Sequence, residues 1–285
     1  MSVANGSGHQ ILTKEKLLNI LKKVTGTEEV KVVISNVRPE RDDDEDTSEI
    51  LSVDIEAEVK GEVREFHWTA KVSVNHLDNH LFIRGLRMEE NEVNFFREIV
   101  PAWHKIINER KADIKLGFAN CLYIEFYQDP AKGSLIVTEN LQQNGFQEPV
   151  GKKDGLSLAH VKLVMEELAK LHALGFIHFK SYPGGITEGI KMNEVVATGW
   201  AFKERELEDV YMEAKNDLTS DVKKNIANVL AAVQEQGQDF VAAYQRFDEE
   251  HCAEDFLSDL NTFDNTDTFK TLTHGDLWFN NMLFR

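Results

Sequence analysis

The sequence predicts an α+β protein with a small antiparallel-sheet lobe, a hinge and a mainly helical second lobe. Two patterns carry this expectation. Between Val30 and Val74 three runs alternate apolar and polar residues with a period of two, as in a sheet with one solvated face. After Ser157 the apolar residues recur every three or four positions, as on amphipathic helices. A loop holding Gly145, Pro149, Gly151 and Gly155 separates the two regimes. The expected units are therefore 1–138, a β-rich lobe with a leading helix, and 139–285, the hinge and helical lobe.

The elements follow in order. Thr13 is a fitting N-cap for a helix carrying Leu17, Leu18, Ile20, Leu21 and Val24, and Gly26 ends it. Val30, Val32 and Ile34 begin the first strand. Val53, Ile55, Ala57 and Val59 face one side of the second, and Phe66, Trp68, Ala70, Val72 and Val74 one side of the third. Lys60-Gly61-Glu62 between the last two is a hairpin turn. From Met88 the period becomes helical through Val93, Phe96, Val100, Trp103 and Ile107, with Pro101 predicting a kink or two abutting helices. Leu122–Phe126 and Leu135–Thr138 are further strands. Ser157 caps a helix burying Val161, Val164, Met165, Leu168 and Leu171 and closed by Gly175. Two more helices are expected at about Ser220–Gln236 and Asp239–Leu260, and a short strand at Met282–Phe284.

Composition excludes some partners. The 285 residues carry 32 Lys+Arg against 49 Asp+Glu, a net charge of −17. Nucleic acid and anionic membrane surfaces require a basic footprint, so neither is expected. A small phosphate ligand needs only one or two local cations. Two cysteines, no apolar run long enough for a membrane span and a polar Met1–Gln10 predict a cytoplasmic protein.

The chemistry is concentrated in His274-Gly275-Asp276-Leu277-Trp278-Phe279-Asn280-Asn281. An Asp and an Asn five residues apart on one loop suit phosphoryl transfer. Asp276 would accept the proton of an attacking hydroxyl, and the amide oxygen of Asn281 would hold Mg²⁺. Gly275 lets the loop bend, and His274 braces its backbone. The competing reading is an Asx-rich turn before a short strand. Lys71, on the polar face of the third strand, and Glu92, near the start of the next helix, match a strand Lys that orients nucleotide phosphates and a helix Glu that pins it. Singly, each would be a solvated surface charge.

Five stretches together resemble the ecdysteroid kinase-like (CHK kinase-like) family, within the wider group of choline and aminoglycoside kinases. They are His67-Trp68-Thr69-Ala70-Lys71-Val72, Glu92-Val93-Asn94-Phe95-Phe96 with Pro101, Leu135 to Leu141 with Gly145-Phe146, Leu168-Ala169-Lys170-Leu171-His172-Ala173, and His274 through Leu283. The resemblance implies a protein-kinase-like two-lobed fold, ATP with Mg²⁺, a hydroxylated small molecule such as an ecdysteroid as acceptor, and a monomer. It implies that backbone groups of Glu139, Asn140 and Leu141 hold the adenine edge. It also places the acceptor pocket on helices between Thr187 and Leu260.

Two departures from the family pattern support a second expectation, a catalytically impaired, pseudokinase-like binding protein. Seven of the ten residues Glu40–Glu49 are acidic where the family carries a glycine-containing phosphate loop, and no glycine lies between Gly26 and Gly61. The family also continues past the Asp–Asn loop to an Asp-Phe-Gln metal motif, which here would fall beyond Arg285, as in a truncated gene model. Other candidates are bland: His76 and His80 as loop residues, His172 and His178 flanking a helix end, Cys121 as a small core residue, and Cys252 as a thiol its acidic neighbours leave unactivated.

Overall fold

The structure, a computed structural model, describes residues 11–40, 48–73, 88–126, 134–149, 155–185, 188–189 and 271–285. All of these except Met88 lie in one compact unit.

Helix α1, Lys14–Thr25, starts where Thr13 Oγ1 accepts the Lys16 N–H at 3.2 Å, and ends at Gly26, whose φ of 66° is the left-handed geometry that favours glycine. Strands β1 (Val30–Pro39), β2 (Ser48–Val59), β3 (Glu62–Ser73), β4 (Cys121–Phe126) and β5 (Ser134–Glu139) form one antiparallel sheet in the order β1-β2-β3-β5-β4. The β2–β3 hairpin turns through Lys60 and Gly61, both at positive φ (52° and 83°), as a tight two-residue turn requires.

One face of this sheet is core. Leu51, Val53, Ile55, Ala57 and Val59 of β2, Trp68, Ala70 and Val72 of β3, and Leu135 and Val137 of β5 pack with Leu17, Ile20 and Leu21 of α1. Each buried Val, Leu or Ile side chain among them contributes roughly 1.5–3 kcal/mol by leaving water, so this cluster anchors the whole sheet. β1 departs from the expected alternation: Val32 is buried, but Ile34 is 59% exposed. The pairing with β2 slips between these two residues, and the extra residue of the bulge turns Ile34 outward.

Helix α2 (Met88–Asn94) passes through a wide π-helical turn, Phe95–Ile99, into α3 (Val100–Glu109). Pro101 lacks an N–H and would clash in a regular turn, so the helix widens before it, and the Val100 N–H reaches back to the Phe95 oxygen. Helix α4, Leu158–Lys180, begins at Ser157, whose Oγ accepts the His160 N–H at 3.3 Å.

Two expectations about α4 need correction. Gly175 does not close it, since the helix continues five residues further. A Cβ at Gly175 would lie 2.8 Å from the Cβ and backbone nitrogen of Leu272, so glycine is present for close approach. The predicted apolar stripe also lies partly in the open, with Val161 and Met165 39% and 57% exposed. The buried core contacts lie in the C-terminal half, where Leu174 and Phe179 join Ile99, Trp103, Ile107 and Leu272 in a second core. His172 and His178 consequently lie within the helix rather than flanking its end. No strand forms at Met282–Phe284; Phe284 makes a single β-bridge to Gln147. His76 and His80, Cys252 and the two helices expected between Ser220 and Leu260 lie outside the described residues.

Candidate functional site

Lys71 occupies β3 between β2 and β5, opposite Ile50 and Ile136. Its neighbours Ala70 and Val72 are fully buried in the core, so alternation turns Lys71 to the other face of the sheet. There its Nζ donates to Glu92 Oε2 of α2 at 2.7 Å. The two side chains, 39% and 33% exposed, form a semi-open pair in which the carboxylate holds the ammonium while leaving it room for a further anion.

Two residues before Lys71 on the same face comes Thr69, and two before that His67. The His67 carbonyl accepts the Asn140 N–H at 3.1 Å, which seats the segment after β5 beside β3. Asn140 is buried, and its Oδ1 accepts the N–H groups of Gln142 (2.9 Å) and Gln143 (3.3 Å). It thereby starts the short 3₁₀ turn Gln142–Asn144, which Gly145 closes at φ 85°. Glu139 is equally committed: its N–H bonds Asn120 O at 3.0 Å, and its Oε1 accepts both the backbone N–H and the Nδ2 of Asn120. The side chains of Glu139 and Asn140 thus shape the hinge rather than point to a ligand. The Leu141 carbonyl accepts from Asn144 and Phe146, whereas its N–H has no acceptor among the described residues. It is the one backbone N–H of residues 141–146 left to an external group.

The third part is the loop from His274 to Asn281. Thr271 Oγ1 donates to the His172 carbonyl of α4 at 2.5 Å, and Leu272 packs on Gly175, so the loop is launched from that helix. Gly275 turns it at φ 81°. His274 Nδ1 accepts the Asp276 N–H at 3.2 Å, the bracing role its position suggested. Asn281 Nδ2 donates to the Asp276 backbone oxygen at 2.8 Å and to its Oδ2 at 2.9 Å. Both amide hydrogens are used in this way, which leaves Asn281 Oδ1 as an acceptor for a cation.

Lys71 is thus brought together with Glu92, Asp276 with Asn281, and Glu139–Leu141 with His67 and Asn120. No hydrogen bond or ion pair joins the first of these groups to the second among the described residues. No group of three or more His, Cys, Asp or Glu with metal-holding geometry occurs among them either. The residues expected to form an acceptor pocket are outside them from Ile190 to Lys270.

One polar cluster escaped the sequence reading. Asp54 of β2 lies opposite His67 and bonds its Nδ1 at 2.8 Å, and Arg38 of β1 donates to the other Asp54 oxygen. Burial acts to raise the Asp54 pKa, but the hydrogen bonds from His67 and Arg38 and the Arg38 charge outweigh it, leaving the carboxyl below its ordinary value. Alternation alone placed Asp54 and His67 on polar faces; only the strand register shows that they meet. Cys121 is half-buried, and burial pushes its thiol up to about 11, as befits an unreactive packing residue.

A family model described as the ecdysteroid kinase-like family matches residues 43–285. No curated protein matches the chain, and no solved structure does.

Proposed function

The chain belongs to the ecdysteroid kinase-like family, and from that premise we propose that it is an ATP-dependent phosphotransferase acting on a hydroxyl of a small molecule, ecdysteroid-like or another lipophilic alcohol. The observation that carries this is the Lys71–Glu92 pair at 2.7 Å, on the same strand whose His67 carbonyl holds the hinge at Asn140. Four residues of strand separate the two, roughly 13 Å, a span an extended nucleoside triphosphate bridges. The adenine edge rests on backbone of Glu139–Leu141, with the open Leu141 N–H as donor, and the phosphates reach Lys71.

Asp276 removes the proton from the acceptor hydroxyl as its oxygen bonds the γ-phosphorus and the bond to the ADP oxygen breaks. Asn281 fits a Mg²⁺ ligand because both its amide hydrogens are held by Asp276 and its Oδ1 is turned to other use. The ion, when bound, neutralises charge on the phosphates. Residues 1–138 and 139–285 form the two lobes around the nucleotide, in a monomeric cytoplasmic enzyme.

A second reading, a binding protein that transfers nothing, is favoured by one feature. β2 begins at Ser48 opposite Ser73, two residues from Lys71. The acidic run Glu40–Glu49 includes this first pair of β2, and carboxylates near a triphosphate repel it.

One experiment separates the two. Mg·ATP at 100 times its dissociation constant should stabilise the protein by about 2.7 kcal/mol, and labelled phosphate should pass from ATP to a member of a panel of lipophilic alcohols. Stabilisation by such an alcohol without any by Mg·ATP supports the binding protein.

A further inference from the structure

We infer that Phe284 and Arg285 are positioning residues, which clasp the Asp276–Asn281 loop to the hinge and so fix the two ends of the nucleotide site as one piece. The inference rests on the nucleotide-binding reading above. Its evidence lies in contacts that neither of those two groups needs for its own integrity.

Phe284 and Gln147 exchange both backbone hydrogen bonds, each at 2.8 Å, three residues after Asn281 and six after Leu141. The Phe284 ring packs against His160, in the first turn of α4, with centroids 4.4 Å apart. Arg285 grips the turn that closes the hinge. Its Nη1 donates to the Asn144 carbonyl at 3.3 Å, and its guanidinium lies 5.0 Å from the Phe146 ring centroid. Between those two contacts, the Arg285 stem runs past Gly145, whose φ of 85° is the geometry that calls for glycine there.

The consequence is mechanical. The hinge turn Gln142–Phe146 is held from below by Asn140 and from the loop side by residues 284 and 285. The loop's other end is tied to α4 through Thr271. With both ends pinned, the distance from the Leu141 N–H to the Asp276 carboxylate is set by these hydrogen bonds rather than by free loop motion. Precision at this scale matters, because a misplacement of about 1 Å in a reacting group can cost roughly 10²-fold in rate.

The test uses the full chain as wild type, Arg285→Ala, Arg285→Lys and Gln147→Pro, the last removing the N–H that bonds Phe284. Backbone amide exchange across residues 274–283 should speed up about threefold to fivefold in Arg285→Ala. It should speed up about tenfold or more in Gln147→Pro, with α1 and β2 amides unchanged in both as a control on folding. Calorimetric titration should show adenosine binding unchanged in Arg285→Ala and Mg·ATP binding weakened about fivefold, with Arg285→Lys partly restoring it. Unchanged loop exchange in both variants overturns the clasp. Equal weakening of adenosine and Mg·ATP overturns its positioning role. A wild type that binds neither adenosine nor Mg·ATP overturns the phosphotransferase reading, and the exchange data still decide whether the clasp exists.

Discussion

Asn281 Nδ2 bonds both the backbone oxygen and the carboxylate Oδ2 of Asp276, at 2.8 and 2.9 Å, so five residues of loop fold back on a single amide group. The amide holds one carboxylate oxygen and leaves Oδ1 without a hydrogen bond among the described residues. Geometry of this kind serves a base that must meet a hydroxyl from one direction.

Replacing Asp276 by Asn should therefore cost phosphate transfer about 10²- to 10⁴-fold, the usual contribution of a positioned general base, while Mg·ATP binding persists. Steady-state kinetics alongside calorimetry check this. Equal loss of binding and transfer would show that Asp276 holds the loop rather than the proton.

The Lys71–Glu92 pair is about a third exposed on each side, and pairs of this kind contribute roughly 0–1 kcal/mol to stability. Glu92→Gln should leave the melting temperature almost unmoved but weaken Mg·ATP binding about tenfold, because a Lys freed from its carboxylate no longer aims at the phosphates. Thermal melts and nucleotide titration on the same sample separate the two effects.

Gly175 lies inside α4, where alanine normally favours the helix by about 1 kcal/mol. Here the added Cβ meets Leu272 Cβ and N at 2.8 Å and Thr271 Oγ1 at 2.9 Å. The backbone nitrogen cannot swing away, so Gly175→Ala should destabilise by about 1–3 kcal/mol in urea unfolding. A stabilised variant would show that the helix and residues 271–272 are not in contact.

Asp54 has a folded pKa below its ordinary value of 3.8: burial opposes ionisation, but the bonds from His67 and Arg38 prevail. Its contribution is fully present above that ordinary value and disappears as the pH falls below it through the folded value. Asp54→Asn should therefore be less stable than wild type at neutral pH, and the gap should close in strongly acid solution. Urea midpoints measured from pH 7 downward report the gap directly, and a constant difference at every pH would remove the ionised carboxyl from the account.

Much of the sheet was legible in the sequence because one face is solvated and the other dry. Val53, Ile55, Ala57 and Val59 alternate with acids, and their burial follows from that pattern alone. The caps Thr13 and Ser157 were legible for the same local reason, since a hydroxyl there reaches an N–H three residues on. Where a residue's role depends on what meets it from elsewhere in the chain, local pattern misleads. Ile34 carries the right period but lies beyond a bulge, and Gly175 resembles a stop signal but serves a neighbour ninety-seven residues away.

The same division holds for the site. Which residue types could perform phosphoryl transfer, and in what order, was readable in the chain: Lys71, Glu92, the hinge Glu139–Leu141, then Asp276 and Asn281. Charge, donor capacity and short-range spacing are properties of the chain. That Lys71 reaches Glu92, that Asn281 uses both amide hydrogens on Asp276, that Asp54 meets His67 and that Phe284 is bridged to Gln147 is visible in the folded molecule alone. These contacts are set by strand register and helix packing, and both emerge only when separate segments bury their apolar faces together.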